Sequence, residues 1–150
     1  MRIIVTGGAQ GIGFASVETL THENHDVVVV DKNSEKLKEV KEKLGCETVN
    51  IDITNEKDVS DFFDTISEID ALVNNAGIWI PEHLSDMSLV NQLKVVDVNL
   101  MGTLYCTKYA LPKIKKSSSS VIINLTSAAA KTNSPGLGLY AATKAAIETL

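Results

Sequence analysis

Aromatic residues and cysteines are scarce in this chain. Phe, Tyr and Trp make up 5% of its 150 residues, and it has two cysteines, three prolines and three histidines. Cys46 and Cys106 form no Cys-x-x-Cys pair, and no His/Cys spacing fits zinc. A metal or disulfide scaffold is therefore not expected, and both thiols read as buried groups in a reducing compartment. No apolar run approaches the roughly 20 residues of a membrane-spanning helix. Arg2 leads straight into a short strand without a signal-peptide pattern, so no membrane partner is expected and the cytoplasm is the default location. Basic residues are also too few for a nucleic-acid surface: 14 Lys and Arg face 19 Asp and Glu, for a net charge of −5. The one basic cluster, Lys113, Lys115 and Lys116, reads as a solvated helix end.

What is present is ordinary globular composition, 44% apolar and 22% charged, over a length that predicts one domain spanning residues 1–150. Ile3 to Val5 reads as a strand, followed by a helix from Gly11 to Glu23. Val27 to Val30 is apolar on both faces, as suits a parallel strand covered on each side. Ser34 reads as the N-cap of a helix from Glu35 to Leu44 that stops at Gly45. Cys46 to Asn50 is a third strand, and Thr54 or Asn55 caps a helix to about Ser67. Ala71 to Val73 is the fourth strand. A long helical pattern runs from Ser88 to Lys115 with a possible break near Asn91, then a serine turn, a fifth strand from Val121 to Leu125, and a loop from Thr126 to Gly136. The last helix starts near Gly138 and continues to Leu150. Alternating strands and helices predict an α/β, Rossmann-type doubly wound parallel sheet.

The first turn, Thr6-Gly7-Gly8-Ala9-Gln10-Gly11-Ile12-Gly13, lies between a strand and a helix. Glycines permit a sharp turn and close approach to a pyrophosphate, and the helix N-terminus offers free N–H groups to the anion. An ordinary strand-to-helix loop is the competing reading. Asp31 stands at the end of the second strand, 18 residues after Gly13. A carboxylate there accepts hydrogen bonds from the adenosine ribose and repels a 2′-phosphate, which favours NAD over NADP. Lys32 partly offsets that repulsion, and Asp31 also fits a plain turn residue.

Tyr140 and Lys144 are four residues apart on the last helix and share a face. An ammonium near a phenol favours the phenolate, which suits the pair to moving a proton to or from an alcohol oxygen. Ser127 follows the fifth strand at the carboxyl edge of the sheet, where open α/β sheets bind ligands. It reads equally as a strand-end cap. His22, His25 and His83 are scattered and read as surface or loop residues, while Met87 and Met101 read as core. Trp79 and Pro81 fit either the mouth of a site or loop packing.

Taken together these residues resemble the short-chain dehydrogenase/reductase family. Thr6-Gly7-x-x-x-Gly11-x-Gly13 resembles its cofactor turn, Asn74-Asn75-Ala76-Gly77 its segment after strand four, and Asp52 its adenine-side aspartate. Asn99 resembles its active-site asparagine, Ser127 its serine, and Tyr140-x-x-x-Lys144 its signature pair. The resemblance implies a strand order of 3-2-1-4-5. It implies Tyr140 as general acid/base, Lys144 lowering its pKa and binding the nicotinamide ribose, Ser127 orienting the substrate oxygen, and Asn99 supporting a proton relay through water. Gly7, Gly11, Ile12 and Gly13 would cradle the pyrophosphate and Asp31 would hold the adenosine ribose. Asp52 and Ile53 would border the adenine, while Asn75, Ala76 and Gly77 would line the cleft. Asn74 would tie neighbouring strands together.

Family members are longer, with two further strands, a substrate-covering segment and a carboxamide-contacting loop after the tyrosine helix. This chain ends six residues after Lys144. The resemblance therefore implies a C-terminally truncated member, with Val121 to Leu125 as an exposed sheet edge. The implied homo-oligomer uses the long helix and the tyrosine helix. Three functional readings follow: an NAD(P)-dependent oxidoreductase acting on a small-molecule alcohol or carbonyl, a truncated product that binds a dinucleotide without turnover, and a partner-binding remnant with no ligand.

Overall fold

The computed structural model describes residues 1–132 and 135–150. The loop expected from Thr126 to Gly136 thus falls partly outside the described residues. Five strands, β1 (Arg2–Thr6), β2 (Asp26–Asp31), β3 (Glu47–Asn50), β4 (Ala71–Asn74) and β5 (Val121–Asn124), form one parallel sheet in the order β3-β2-β1-β4-β5. Helices α1 (Gly11–His22) and α2 (Ser34–Leu44) lie on one side. On the other lie α3 (Glu56–Thr65) and a long helical run, α4 (Leu89–Val96) and α5 (Gly102–Ala110). Helix α6 (Gly138–Glu148) follows β5.

The alternation of strand side chains builds two apolar layers. Ile4, Val28, Val30 and Leu72 face α3 and α5 through Phe62, Phe63 and Cys106. Ile3, Val5, Val27, Val29 and Val73 face α1 and α2 through Val17, Leu37 and Val40. The valine run is therefore buried on both faces, as its composition predicts. Both cysteines are free and buried, and burial pushes the Cys106 thiol up to about 12. Among the described residues, no helix is long and apolar enough to cross a membrane.

Several local expectations shift. Asn33, not Ser34, caps α2, because its backbone is extended and its side chain accepts the Lys36 N–H at 3.1 Å. Asn55 caps α3, while the Thr54 hydroxyl turns back to Asp52, and α3 ends at Thr65 rather than Ser67. The long helix does not break at Asn91. Ser88 caps it through the Asn91 N–H, and the irregularity falls later, in a single π-helical stretch over Asp97–Met101. The run ends at Ala110 and not at Lys115, because Pro112 has no N–H to continue the ladder and Leu111–Lys113 tightens into a 3-10 turn. Helix α6 closes at Glu148, short of Leu150, with the Thr149 N–H turned to Ala146. Strand β5 forms the sheet edge, with Val121 and Ile123 exposed.

The basic cluster is not simply solvated. Ile69 forms an isolated parallel bridge with Ile114, and Lys115 Nζ pairs with Asp70 at 3.0 Å. Asp70 also accepts the Arg2 backbone N–H at 2.6 Å. The Arg2 N–H first, and Lys115 second, hold the Asp70 carboxyl below its usual range. A carboxyl with a depressed folded pKa stabilises the fold above its unfolded value, about 3.9, and that contribution is lost as pH falls through the folded value. Asp70→Asn should therefore lower the urea midpoint at pH 7. The gap from the parent chain should narrow as pH falls below about 4. A gap independent of pH would show that Asp70 contributes nothing as an anion.

Candidate active site

The carboxyl ends of β1, β2 and β4 open onto a cavity of about 400 Å³. Its floor is the turn between β1 and α1, held by side chains from β1 and from the segment after β4. Asn75 Nδ2 donates to the carbonyls of Thr6 and Gly7 at 2.9 Å each, and the Thr6 hydroxyl accepts the N–H groups of Asn75 and Ala76 at 3.2 Å. Gly13 must lack a side chain here: an added Cβ would lie 2.2 Å from the Gly7 carbonyl oxygen and 2.4 Å from Asn75 Nδ2. Gly11 has φ of +56°, and a Cβ there would meet nothing within 4 Å, because that side is open.

The donor set fits a bound pyrophosphate. Gln10 makes no side-chain cap to α1 and instead accepts from Lys36 Nζ, and the first turn of α1 carries no acidic residue. The helix thus presents N–H groups and its positive end to the cavity.

At one end of the cavity Asp31 accepts the N–H groups of Ala9 (3.2 Å) and Asn33 (3.0 Å), so it serves the turn and still faces the cavity. Each of its oxygens keeps a lone pair for a ribose hydroxyl. Lys32 turns to Asp52, 3.9 Å from its Oδ2. Asp52 Oδ1 in turn accepts the N–H and hydroxyl of Thr54 at 3.0 and 2.9 Å. Ile53 is buried and packs against Gly102.

At the other end, Tyr140 and Lys144 line the cavity together, with Lys144 Nζ 5.9 Å from the centre of the Tyr140 ring. Lys144 is 5% exposed and donates to the Leu125 carbonyl at 2.7 Å. Burial pushes the Lys144 ammonium below its ordinary pKa. Gly77 packs beside it, since a Cβ there would sit 3.3 Å from Nζ.

Asn99 and Ser127 are not among the residues that line the cavity. Asn99 is fully buried within the π-helical stretch. Its Oδ1 accepts the Ile78 N–H at 2.7 Å, and its Nδ2 donates to the Ile78 carbonyl (2.9 Å) and to Thr143 Oγ1 (3.2 Å). Ser127 Oγ accepts the Ala129 N–H at 3.2 Å, the cap role open to a strand-end serine. Asn74 ties β4 to β5 and α5 through Asn124 (2.9 Å) and Thr107 (3.0 Å). Thr143 is the residue that motif reading passes over. Its buried hydroxyl donates to the Tyr140 carbonyl at 2.7 Å and so joins Asn99 to the tyrosine helix. Its signal lay in its spacing, three residues after Tyr140 on the same face.

The chain matches the short chain dehydrogenase family over residues 1–150 and belongs to that family. An uncharacterized oxidoreductase of Staphylococcus aureus (strain USA300) is 32% identical over 154 residues, covering 98% of this chain and 67% of the relative. A structure of serine dehydrogenase from Escherichia coli superposes with a TM-score of 0.93 at 28% identity, covering 99% of this chain and 72% of that one. A closed form of serine dehydrogenase complexed with NADP+ gives 0.93 and 28%, with coverage of 99% and 63%. A short chain dehydrogenase/reductase family protein gives 0.94 and 30%, and this chain spans 64% of its length.

The two glycines predict different responses to substitution. Gly13→Ala should drive the Asn75 and Gly7 contact apart at a cost of about 1–3 kcal/mol in urea unfolding. Gly11→Asn, a residue that tolerates the left-handed region, should be close to neutral. A neutral Gly13→Ala would contradict the close approach.

Proposed function

We propose that this chain binds NAD in preference to NADP and supports reversible hydride transfer to or from a secondary alcohol or carbonyl compound. The observation that carries the reading is the placement of Tyr140 and Lys144 on the wall of the same cavity that the glycine turn floors. Gly7, Gly11, Ile12 and Gly13 would hold the pyrophosphate. Asp31 would hold the adenosine ribose, and Asp52 and Ile53 would border the adenine. Asn75, Ala76 and Gly77 would line the central cleft. The nicotinamide, when bound, supplies or accepts the hydride.

The protein's own part is proton handling and positioning. In reduction the Tyr140 hydroxyl gives its proton to the carbonyl oxygen as the C=O π pair moves onto that oxygen; in oxidation it takes the proton back. Lys144, held by Leu125, would stabilise the phenolate and hold the nicotinamide ribose. Asn99 positions this pair through Thr143, and a proton relay through water past Asn99 belongs to the same proposal. The assignment of NAD rests on Asp31, and on Lys32 being drawn toward Asp52. A neighbour's NADP+ complex marks the alternative to be tested. Two buried, unpaired thiols support a cytoplasmic site. Exposed Leu89, Val90 and Leu93 on α4 support self-association through the long helix and the tyrosine helix.

A second reading, dinucleotide binding without turnover, draws on Ser127, which caps the Ala129 N–H and is not among the residues that line the cavity, although its O–H remains free to donate. Titration with NADH and NADPH, followed by nicotinamide emission, tests the cofactor, and NADH should bind more tightly. Tyr140→Phe should abolish reduction of a generic ketone while leaving NADH affinity within about twofold, since only the proton donor is removed. Undiminished turnover in that variant would overturn the catalytic assignment. Tight NADH binding with no turnover by the parent chain would establish the second reading.

A further inference from the structure

Glycine is a poor choice inside a long helical run, because it gives up more backbone freedom than alanine and packs nothing. Gly102 joins the π-helical stretch to α5 with φ of −59° and ψ of −42°, values that any L-residue adopts. Its backbone therefore does not call for glycine, and the reason lies in the space beside it. A Cβ at Gly102 would lie 2.5 Å from Ile53 Cδ1, 2.7 Å from Ile53 Cγ1 and 3.4 Å from Ile53 Cβ. The bare helix surface is the seat of one side chain.

Ile53 stands between two empty spaces. On one side is the cavity of about 400 Å³, which Ile53 lines together with Val98, four residues before Gly102. On the other is an apolar void of about 10 Å³, bounded by Phe62, Phe63 and Cys106. A void of that size holds about one water molecule at most. The backbone next to Ile53 is tied down, because Asp52 Oδ1 accepts both the N–H and the hydroxyl of Thr54. An isoleucine is also stiff at its branched Cβ. Pushed by a methyl group at position 102, the side chain thus swings as a unit, and the larger space is the one that can receive it.

We infer that Gly102 is a positioning residue that sets the depth of the adenine end of the cavity. By presenting no side chain it lets Ile53 lie back against α5, and a larger residue there drives Ile53 into the space the base needs. The inference rests on the dinucleotide reading above. It is tested by titrating the parent chain and Gly102→Ala with NADH, followed by nicotinamide emission. The NADH is then displaced with 5′-AMP and with 5′-CMP, whose single-ring base reaches less deeply. Gly102→Ala should weaken 5′-AMP about tenfold and 5′-CMP less than about threefold, since lost depth penalises the larger base. Added to Ile53→Ala, the same substitution should leave 5′-AMP affinity within about twofold of Ile53→Ala alone, because no branched side chain remains to be pushed. Equal losses for the two nucleotides, or an unaltered 5′-AMP affinity in Gly102→Ala, overturn the inference and leave the dinucleotide reading intact. A tenfold loss on adding Gly102→Ala to Ile53→Ala does the same. So does a Gly102→Ala chain that fails to fold: if the double variant folds, Ile53 had no room on the cavity side, and if it does not, the methyl group meets something other than Ile53. Absence of NADH binding by the parent chain overturns both readings together.

Discussion

One buried carboxamide joins the two halves of the candidate site. Asn99 has no solvent exposure, so each of its hydrogen bonds replaces water that it cannot reach. It spends its acceptor and both donor directions on two partners, the Ile78 backbone and the Thr143 hydroxyl. The first belongs to the segment leaving β4, the second to the helix that carries Tyr140 and Lys144. The relative placement of the cavity wall and of Tyr140 and Lys144 therefore depends on an amide seated in an irregular turn of a long helix. In a low-dielectric setting such a network is strong when complete and costly when broken.

The irregular turn explains how a helix of this length carries a buried carboxamide that reaches two other elements. A regular α-helix buries its inner face evenly against the sheet. The π-helical stretch over Asp97–Met101 widens the ladder at Asn99, while the Thr103 hydroxyl takes up the Asn99 carbonyl at 2.9 Å. The widened turn lets a polar side chain reach across to a different element without leaving a main-chain group unsatisfied.

The fold was legible because its signals are periodic and redundant. The four valines of β2, the glycine turn and the strand–helix alternation each point to the same parallel sheet, and the observed strand order agrees. What was less legible is set by choices between near-equivalent groups. Asn33 and Ser34 are both good caps, and only the path of the chain after Asp31 decides between them. The π-helical stretch has no residue signature in Asp97-Val98-Asn99-Leu100-Met101, because it follows from packing partners far along the chain. The pairing of Lys115 with Asp70 is a tertiary contact and was hidden for the same reason. At the site, spacing placed Tyr140 with Lys144, and order along the chain placed Asp31, Asp52 and Asn75. It left open which of two roles Ser127 plays, and it passed over Thr143, whose importance lies in what it touches.

The central position of β1 has a consequence for the order of assembly. Ile3 pairs on one side with Val27 and on the other with Ala71. Of the five strands β1 is made first, and it is flanked on one side by β2 soon afterwards but on the other only once residues 71–74 have been made. Until then β1 is an open border, and the glycine loop beside it lacks Asn75, which pins its carbonyls. The geometry of the glycine loop therefore arises late, when β4 docks and brings Asn75 to it. A nascent chain shorter than that has the loop sequence but no loop geometry.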